Sequence, residues 1–175
     1  DRGLITDAVF AESEAQAEAF WRIRESISEA ERASGPAVQH DISVPVDAMP
    51  DFMVTVAAEA ERAFPGSTAT AFGHLGDGNV HFHVRAPAGP DAERWMAEQD
   101  KAVSAFVYDR VVAAGGSISA EHGIGRMKLD TFARLTDTAR LNALRALKAA
   151  FDPLGIMNPG KLIPPQSLAS ARAAP

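Results

Sequence analysis

The segment Gly73-His74-Leu75-Gly76-Asp77-Gly78-Asn79-Val80-His81-Phe82-His83 constrains this chain most. Asp77-Gly78 is a two-residue hairpin signal, because a type I′ turn requires positive φ at both central positions. With the turn centred there, Gly76 faces Asn79, Leu75 faces Val80 and His74 faces His81. Residues so opposed have Cβ atoms about 4.5–5.5 Å apart on one sheet face. His83 lies two positions beyond His81 and shares that face. A four-residue loop centred on the same point keeps this register, and a bulge breaks it.

The remaining elements follow from periodicity and punctuation. Residues 4–10 read as a strand. Glu12 to Ala33 reads as one helix, with Phe20, Ile23, Ile27 and Ala30 at three- and four-residue steps. Val38 to Val44 alternates, with Val38, His40, Ile42 and Val44 on one side and Gln39, Asp41 and Ser43 on the other. Asp47 is placed to cap a helix that starts with Pro50 in its first turn and runs to Phe64. Pro90 to Ala114 and Thr136 to Phe151 read as helices, and Ser117-Ile118-Ser119 as a short strand. Strands interrupted by helices around a central hairpin indicate an α+β fold, an antiparallel sheet with helices packed on one face. Two β-α-β units are expected. Residues 1–163 read as one domain and residues 164–175, rich in Pro, Ala and Ser, as a mobile tail.

Composition narrows the chemistry. The 175 residues carry a net charge of -6, which argues against nucleic acid as a partner. No apolar run approaches the roughly 18–20 residues of a membrane span. There is no cysteine, so a metal here must be held by His, Asp or Glu. The lack of cysteine is compatible with a cytoplasmic location. The abrupt start at Asp1-Arg2-Gly3, without an initiator Met, reads as a piece cut from a longer chain.

Two imidazoles on one sheet face can share a metal ion, since neutral imidazole is the commonest side-chain metal ligand. The third ligand has two candidates. Glu121, beside His122 in the Gly-flanked stretch Glu121-His122-Gly123-Ile124-Gly125, offers a carboxylate and a neighbouring base. His83 offers an all-His site. Arg22 and Arg24 on the first helix are suited to a carboxylate, although arginines on a solvated helix face are the more common case. Gly73, Gly76 and Gly78 do not make a dinucleotide fingerprint, because no helix follows them.

Four stretches then agree with one family: His40-Asp41-Ile42-Ser43-Val44-Pro45, the histidine hairpin, Glu121-His122-Gly123-Ile124-Gly125, and Asp152-Pro153-Leu154-Gly155-Ile156-Met157-Asn158-Pro159-Gly160-Lys161. Together they resemble the C-terminal cap (substrate) domain of the FAD-linked D-2-hydroxy acid dehydrogenases and oxidases. This group of the vanillyl-alcohol oxidase superfamily includes D-2-hydroxyglutarate and D-lactate dehydrogenases and the D subunit of glycolate oxidase. The resemblance implies a ferredoxin-like-derived α+β cap domain, here truncated at its N-terminus, with the FAD-binding domain lying before it. It implies His74, His81 and Glu121 as ligands of a divalent metal, usually zinc, and His122 as the catalytic base. It implies Arg24 and Ser28 at the substrate carboxylate, Gln39 and His83 at the substrate, and Asn158 at the cofactor. Gln39 replaces a lysine common at that position, and His83 an asparagine. A neutral Gln39 weakens the case for a dicarboxylate.

The activity so implied is oxidation of a small D-2-hydroxy acid to the 2-keto acid by a flavin. An electron-transfer flavoprotein or a quinone would take the electrons, in the cytoplasm or peripherally at the inner face of the membrane. The isolated piece is expected to bind FAD weakly, to show no turnover, and to associate into homo-oligomers through its uncovered apolar surface. The competing readings are a non-catalytic metal-binding or subunit-interaction module, its ion enclosed by four ligands including His83, and a relative that has lost activity.

Overall fold

The computed structural model describes residues 6–163. The elements are α1 (Glu14–Glu25), α2 (Ile27–Ala33), β1 (Ala37–Ser43), α3 (Met49–Ala63), β2 (Thr68–His74), β3 (Asn79–Arg85), α4 (Ala92–Ala113), α5 (Leu129–Leu135) and α6 (Thr138–Phe151). The described residues up to Pro36 and those from Ala37 to Ile163 belong to two compact units.

In the first unit, the single helix expected over Glu12–Ala33 is interrupted at Ser26. The Ser26 hydroxyl donates to the Ile23 carbonyl at 2.8 Å, the local bonding by which serine competes with the helical ladder. Ser13 caps α1 by accepting from the Gln16 amide. Residues 6–10 are not a strand; residues 4 and 5 of that expected strand, and the tail 164–175, lie outside the described residues.

The second unit is an α+β domain. Its three-stranded antiparallel sheet has the order β1-β3-β2, and α3 and α4 pack on it. Strand alternation divides the sheet into two faces. Val38 and Ile42 of β1 and Val80, Phe82 and Val84 of β3 are buried with Phe52 and Val56 of α3 and Val103, Val107 and Val111 of α4. The apolar residues of both helices recur at three- and four-residue steps, which makes one stripe each. Phe52 and Phe82 meet edge to face, with centroids 6.3 Å apart. The opposite face carries Gln39, Asp41, Phe72, His74, Asn79, His81 and His83.

The hairpin forms, but its register differs from the one expected. His74 faces Asn79 and Phe72 faces His81, so His74 and His81 are diagonal rather than opposed. The cause is the turn. Gly78 has φ 72 but Asp77 does not share a positive φ, which excludes type I′. Instead the amides of Asp77 and Gly78 both donate to the His74 carbonyl, at 3.4 and 3.1 Å, and the Asp77 carboxylate accepts from the Asn79 amide at 3.0 Å. The loop is thus Leu75–Gly78. The shift is two residues, and a two-residue shift returns every side chain to the same face.

Two other expectations are corrected. Ala48, not Asp47, is the N-cap of α3, and no side chain caps it. Ser117-Ile118-Ser119 makes only a single bridge, Ser43 to Ser117, instead of a strand, so the second β-α-β unit does not form. Gly116 allows this approach: a Cβ there would stand 2.2 Å from the Ser43 carbonyl oxygen.

Candidate metal and substrate site

The sheet face left free by α3 and α4 brings several of the expected residues together. His74, at the end of β2, and His81, in β3, have ring centroids 6.3 Å apart. Glu121 reaches the same place from the loop after Ser119, with its Oε1 3.6 Å from His74 Nδ1. Asn79 donates its side-chain amide to that Glu121 oxygen at 2.5 Å. His81 is backed by Phe72, with ring centroids 5.2 Å apart.

The loop is seated on the sheet by Asp41. The backbone amides of Glu121 and His122 both donate to Asp41 Oδ2 at 2.9 Å. The same oxygen lies 3.7 Å from His122 Nδ1. Burial pushes the Asp41 carboxyl up, but the His122 and Glu121 amides, with the His122 ring and the Lys128 ammonium nearby, outweigh it and hold its pKa below the ordinary value. Lys128 extends over β1 and donates to the Ile118 carbonyl at 2.8 Å. Its own pKa is lowered by burial, against the pull of Asp41. Asp41, Glu121 and His122 form a compact cluster of potential ligand atoms, all within 4.8 Å of one another.

His83 lies one row further along the sheet, facing Gln39 and Thr70. It is buried, 7 % exposed, and meets Phe72 edge to face at 5.4 Å. Asn158 has a left-handed backbone, φ 46, and lines a cavity of about 450 Å³ with Leu144, Phe151 and Lys161. Its loop is organised by Asp152, which accepts from the Ile156 and Met157 amides at 3.0 and 2.9 Å and from Lys148 at 2.5 Å. Arg24 and Ser28 belong to the first unit, on α1 and α2 respectively. Arg24 lines a cavity of about 400 Å³ there with Phe20 and Trp21.

Residues 1–162 match the family described as FAD linked oxidases, C-terminal domain. The chain belongs to that family. Relatives of this FAD-linked oxidase domain include D-2-hydroxyglutarate dehydrogenase of Stutzerimonas stutzeri (strain A1501), 37% identical over 162 residues, covering 93% of this chain and 34% of that protein. The mitochondrial D-2-hydroxyglutarate dehydrogenase of Bos taurus is 34% identical over 165 residues, covering 94% and 29%. That of Arabidopsis thaliana is 35% identical over 166 residues, covering 94% and 28%. The chain spans about a third of the length of the curated relatives it matches. No helix among the described residues is long and apolar enough to cross a membrane.

Among the described residues the ligand atoms that stand closest together are those of Asp41, Glu121 and His122; His74 reaches Glu121, while the His74 and His81 rings are 6.3 Å apart at their centroids. The imidazoles of His74 and His81 and the Glu121 carboxylate are donor types that a divalent ion takes, and a catalytic zinc site uses three such ligands while keeping a position open. Ligands around tetrahedral zinc stand roughly 3.3 Å apart, from bond lengths of about 2.0–2.1 Å, close to the 3.6 Å between His74 and Glu121. Asp41 and Asn79 lie inside motifs quoted above but were given no role there; the structure places both against Glu121. In the strand pattern Asp41 was legible only as a residue on the side opposite Val38, His40, Ile42 and Val44.

Proposed function

We propose that the full-length protein is a FAD-dependent dehydrogenase that oxidises a D-2-hydroxy acid to the 2-keto acid, and that this domain supplies its metal ligands and its base. What carries the reading is the convergence of His74, His81, Glu121 and His122 on the one sheet face that α3 and α4 leave free. The names of the relatives make D-2-hydroxyglutarate the first substrate to test, and the neutral Gln39 makes monocarboxylates such as D-lactate and glycolate the second.

His74, His81 and Glu121 would hold the ion, zinc by preference. When bound, the ion supplies Lewis-acid polarisation of the substrate hydroxyl, and FAD supplies the two-electron acceptor. His122 takes the hydroxyl proton, a role that contributes typically about 10²–10⁴-fold. Its exposed imidazole leaves it open to substrate, while Asp41 stands ready to balance the charge it gains. Arg24 and Ser28 are assigned to the substrate carboxylate, and Asn158 to the flavin, on their motifs. A closed structural site that includes His83 has less support, because His83 is buried two ladder rows from His74.

The electron acceptor in this reading is an electron-transfer flavoprotein or a quinone, met in the cytoplasm or at the inner membrane face. Exposed Phe20, Trp21, Phe151 and Leu154 favour a homo-oligomer. The test is anaerobic bleaching of the flavin absorbance in full-length protein by D-2-hydroxyglutarate, D-lactate and glycolate, alongside elemental analysis. Bleaching by at least one acid, with about one divalent ion per chain, is expected. Failure of every acid with metal-loaded protein would overturn the reading.

A further inference from the structure

We propose that Asp41 is the positioning residue of this site: its carboxylate seats Glu121 against the ion and His122 against the substrate. The inference rests on the metal and base reading above. The stretch from Ala120 to Ile124 belongs to no helix or strand. Its amides at Glu121 and His122 converge on a single oxygen, Asp41 Oδ2. Two donors from successive residues on one acceptor fix both the place and the direction of that dipeptide. The acceptor is itself buried in the sheet. Asp41 sits in β1 with its side chain 4% exposed, and its ladder partner is His81 of the central strand. The strand that pairs with one metal-binding histidine therefore holds the carboxylate that must meet it. Oδ2 also flanks His122 Nδ1, which leaves Nε2 as the nitrogen for proton transfer. Asp41 Oδ1 has no hydrogen-bond partner among the described residues, so the two loop amides are what satisfies this buried side chain.

Groups that orient metal ligands typically carry about 10–100-fold in metal affinity or activity. The experiment compares Asp41→Ala and Asp41→Asn in the full-length protein with the double variant His74→Ala/His81→Ala. Zinc affinity is measured by competition with a chromophoric chelator, and kcat and KM are measured in parallel. The asparagine amide oxygen can still accept both N–H groups but brings no charge to His122. We expect D41A to weaken zinc binding about 10–100-fold. D41N should keep zinc while its kcat falls and its KM changes little. Unaltered zinc affinity and kcat in D41A would overturn the proposal. So would loss of zinc in D41N as complete as in D41A, which would make Asp41 a ligand. Should D41A fail to fold, D41N decides: normal zinc with lowered kcat supports the role, and normal values of both reject it. Zinc kept by the double-histidine variant would sink the metal reading itself, a result distinct from zinc lost there but kept in D41A.

Discussion

His40 makes the stability of this domain depend on pH in a defined window. It is 1% exposed. Its Nδ1 bonds the Phe82 carbonyl at 3.0 Å and its Nε2 the Ser104 hydroxyl at 3.2 Å. A carbonyl can only accept, so Nδ1 carries the hydrogen and Nε2 accepts from Ser104. Tyr108 meets the ring edge-on at 5.2 Å. Burial drives the His40 pKa down from 6.5 to about 4, the Phe82 carbonyl opposes this, and Lys128 and His83 nearby add to it. The unfolded chain therefore takes up a proton below pH 6.5 that the folded chain refuses until about pH 4. The stability contributed by the neutral ring is whole above 6.5 and is lost as pH falls toward the folded value. At about 1.4 kcal/mol per pH unit the loss reaches about 3 kcal/mol. Asp41 and Asp152 are also held below the ordinary carboxylate value of 3.8. Their contributions are likewise lost on acidification, but at lower pH than that of His40.

The assay is urea unfolding at steps between about pH 7 and pH 4.5, followed by Trp95 fluorescence in a Trp21→Phe background. Trp95 packs edge to face on Phe64 and reports the second unit. The His40→Asn variant supplies the control. It is less stable throughout, but its stability should be nearly flat where that of the parent slopes. A flat parent curve, or a variant with the same slope, would refute the argument.

Three further outcomes are expected. Gly78→Ala costs at least about 1–2 kcal/mol from its positive φ alone, and more because a Cβ there would lie 2.0 Å from the Val44 carbonyl oxygen; a denaturation midpoint unchanged from the parent would contradict this. Phe82→Ala, at a position with no solvent exposure, lowers stability by about 3–5 kcal/mol with little change in the denaturant slope, both read from the same urea curves. Asp152→Ala frees the Ile156 and Met157 amides and exposes the 153–158 loop to limited proteolysis, where the parent resists.

The hairpin, the helices α3, α4 and α6 and the division of β1 into two faces were all legible in the sequence, because each rests on local periodicity. The turn geometry was not. Asp-Gly is a strong hairpin signal, but the competing bond from Gly78 to the His74 carbonyl depends on how Val44 and β1 lie beside the loop. The short segment at Ser117 has too few residues for alternation to tell a strand from a bridge. Motif reading found Glu121 and His122 but not what holds them. Asp41 acts on amides 80 and 81 positions away, a separation at which no local pattern operates.

The tolerance of the site to that register error has a physical reason. A two-residue shift leaves His74 and His81 on the same face; a one-residue slip would carry them into the core and turn Val80, Phe82 and Val84 outward. Each of those side chains is fully buried, and exposing one costs about 1.5–3 kcal/mol. Three together exceed about half of the 5–15 kcal/mol that holds a typical domain folded. The apolar face beneath α3 and α4 thus selects which polar residues reach the other face, and the burial of Val80 and Phe82 on either side of His81 fixes the face its ring takes. A core variant that keeps volume, such as Val80→Ile, should leave that arrangement intact. A polar one, such as Val84→Asp, should disturb the histidine face without touching a single residue on it, and histidine ring resonances in NMR spectra would register the difference.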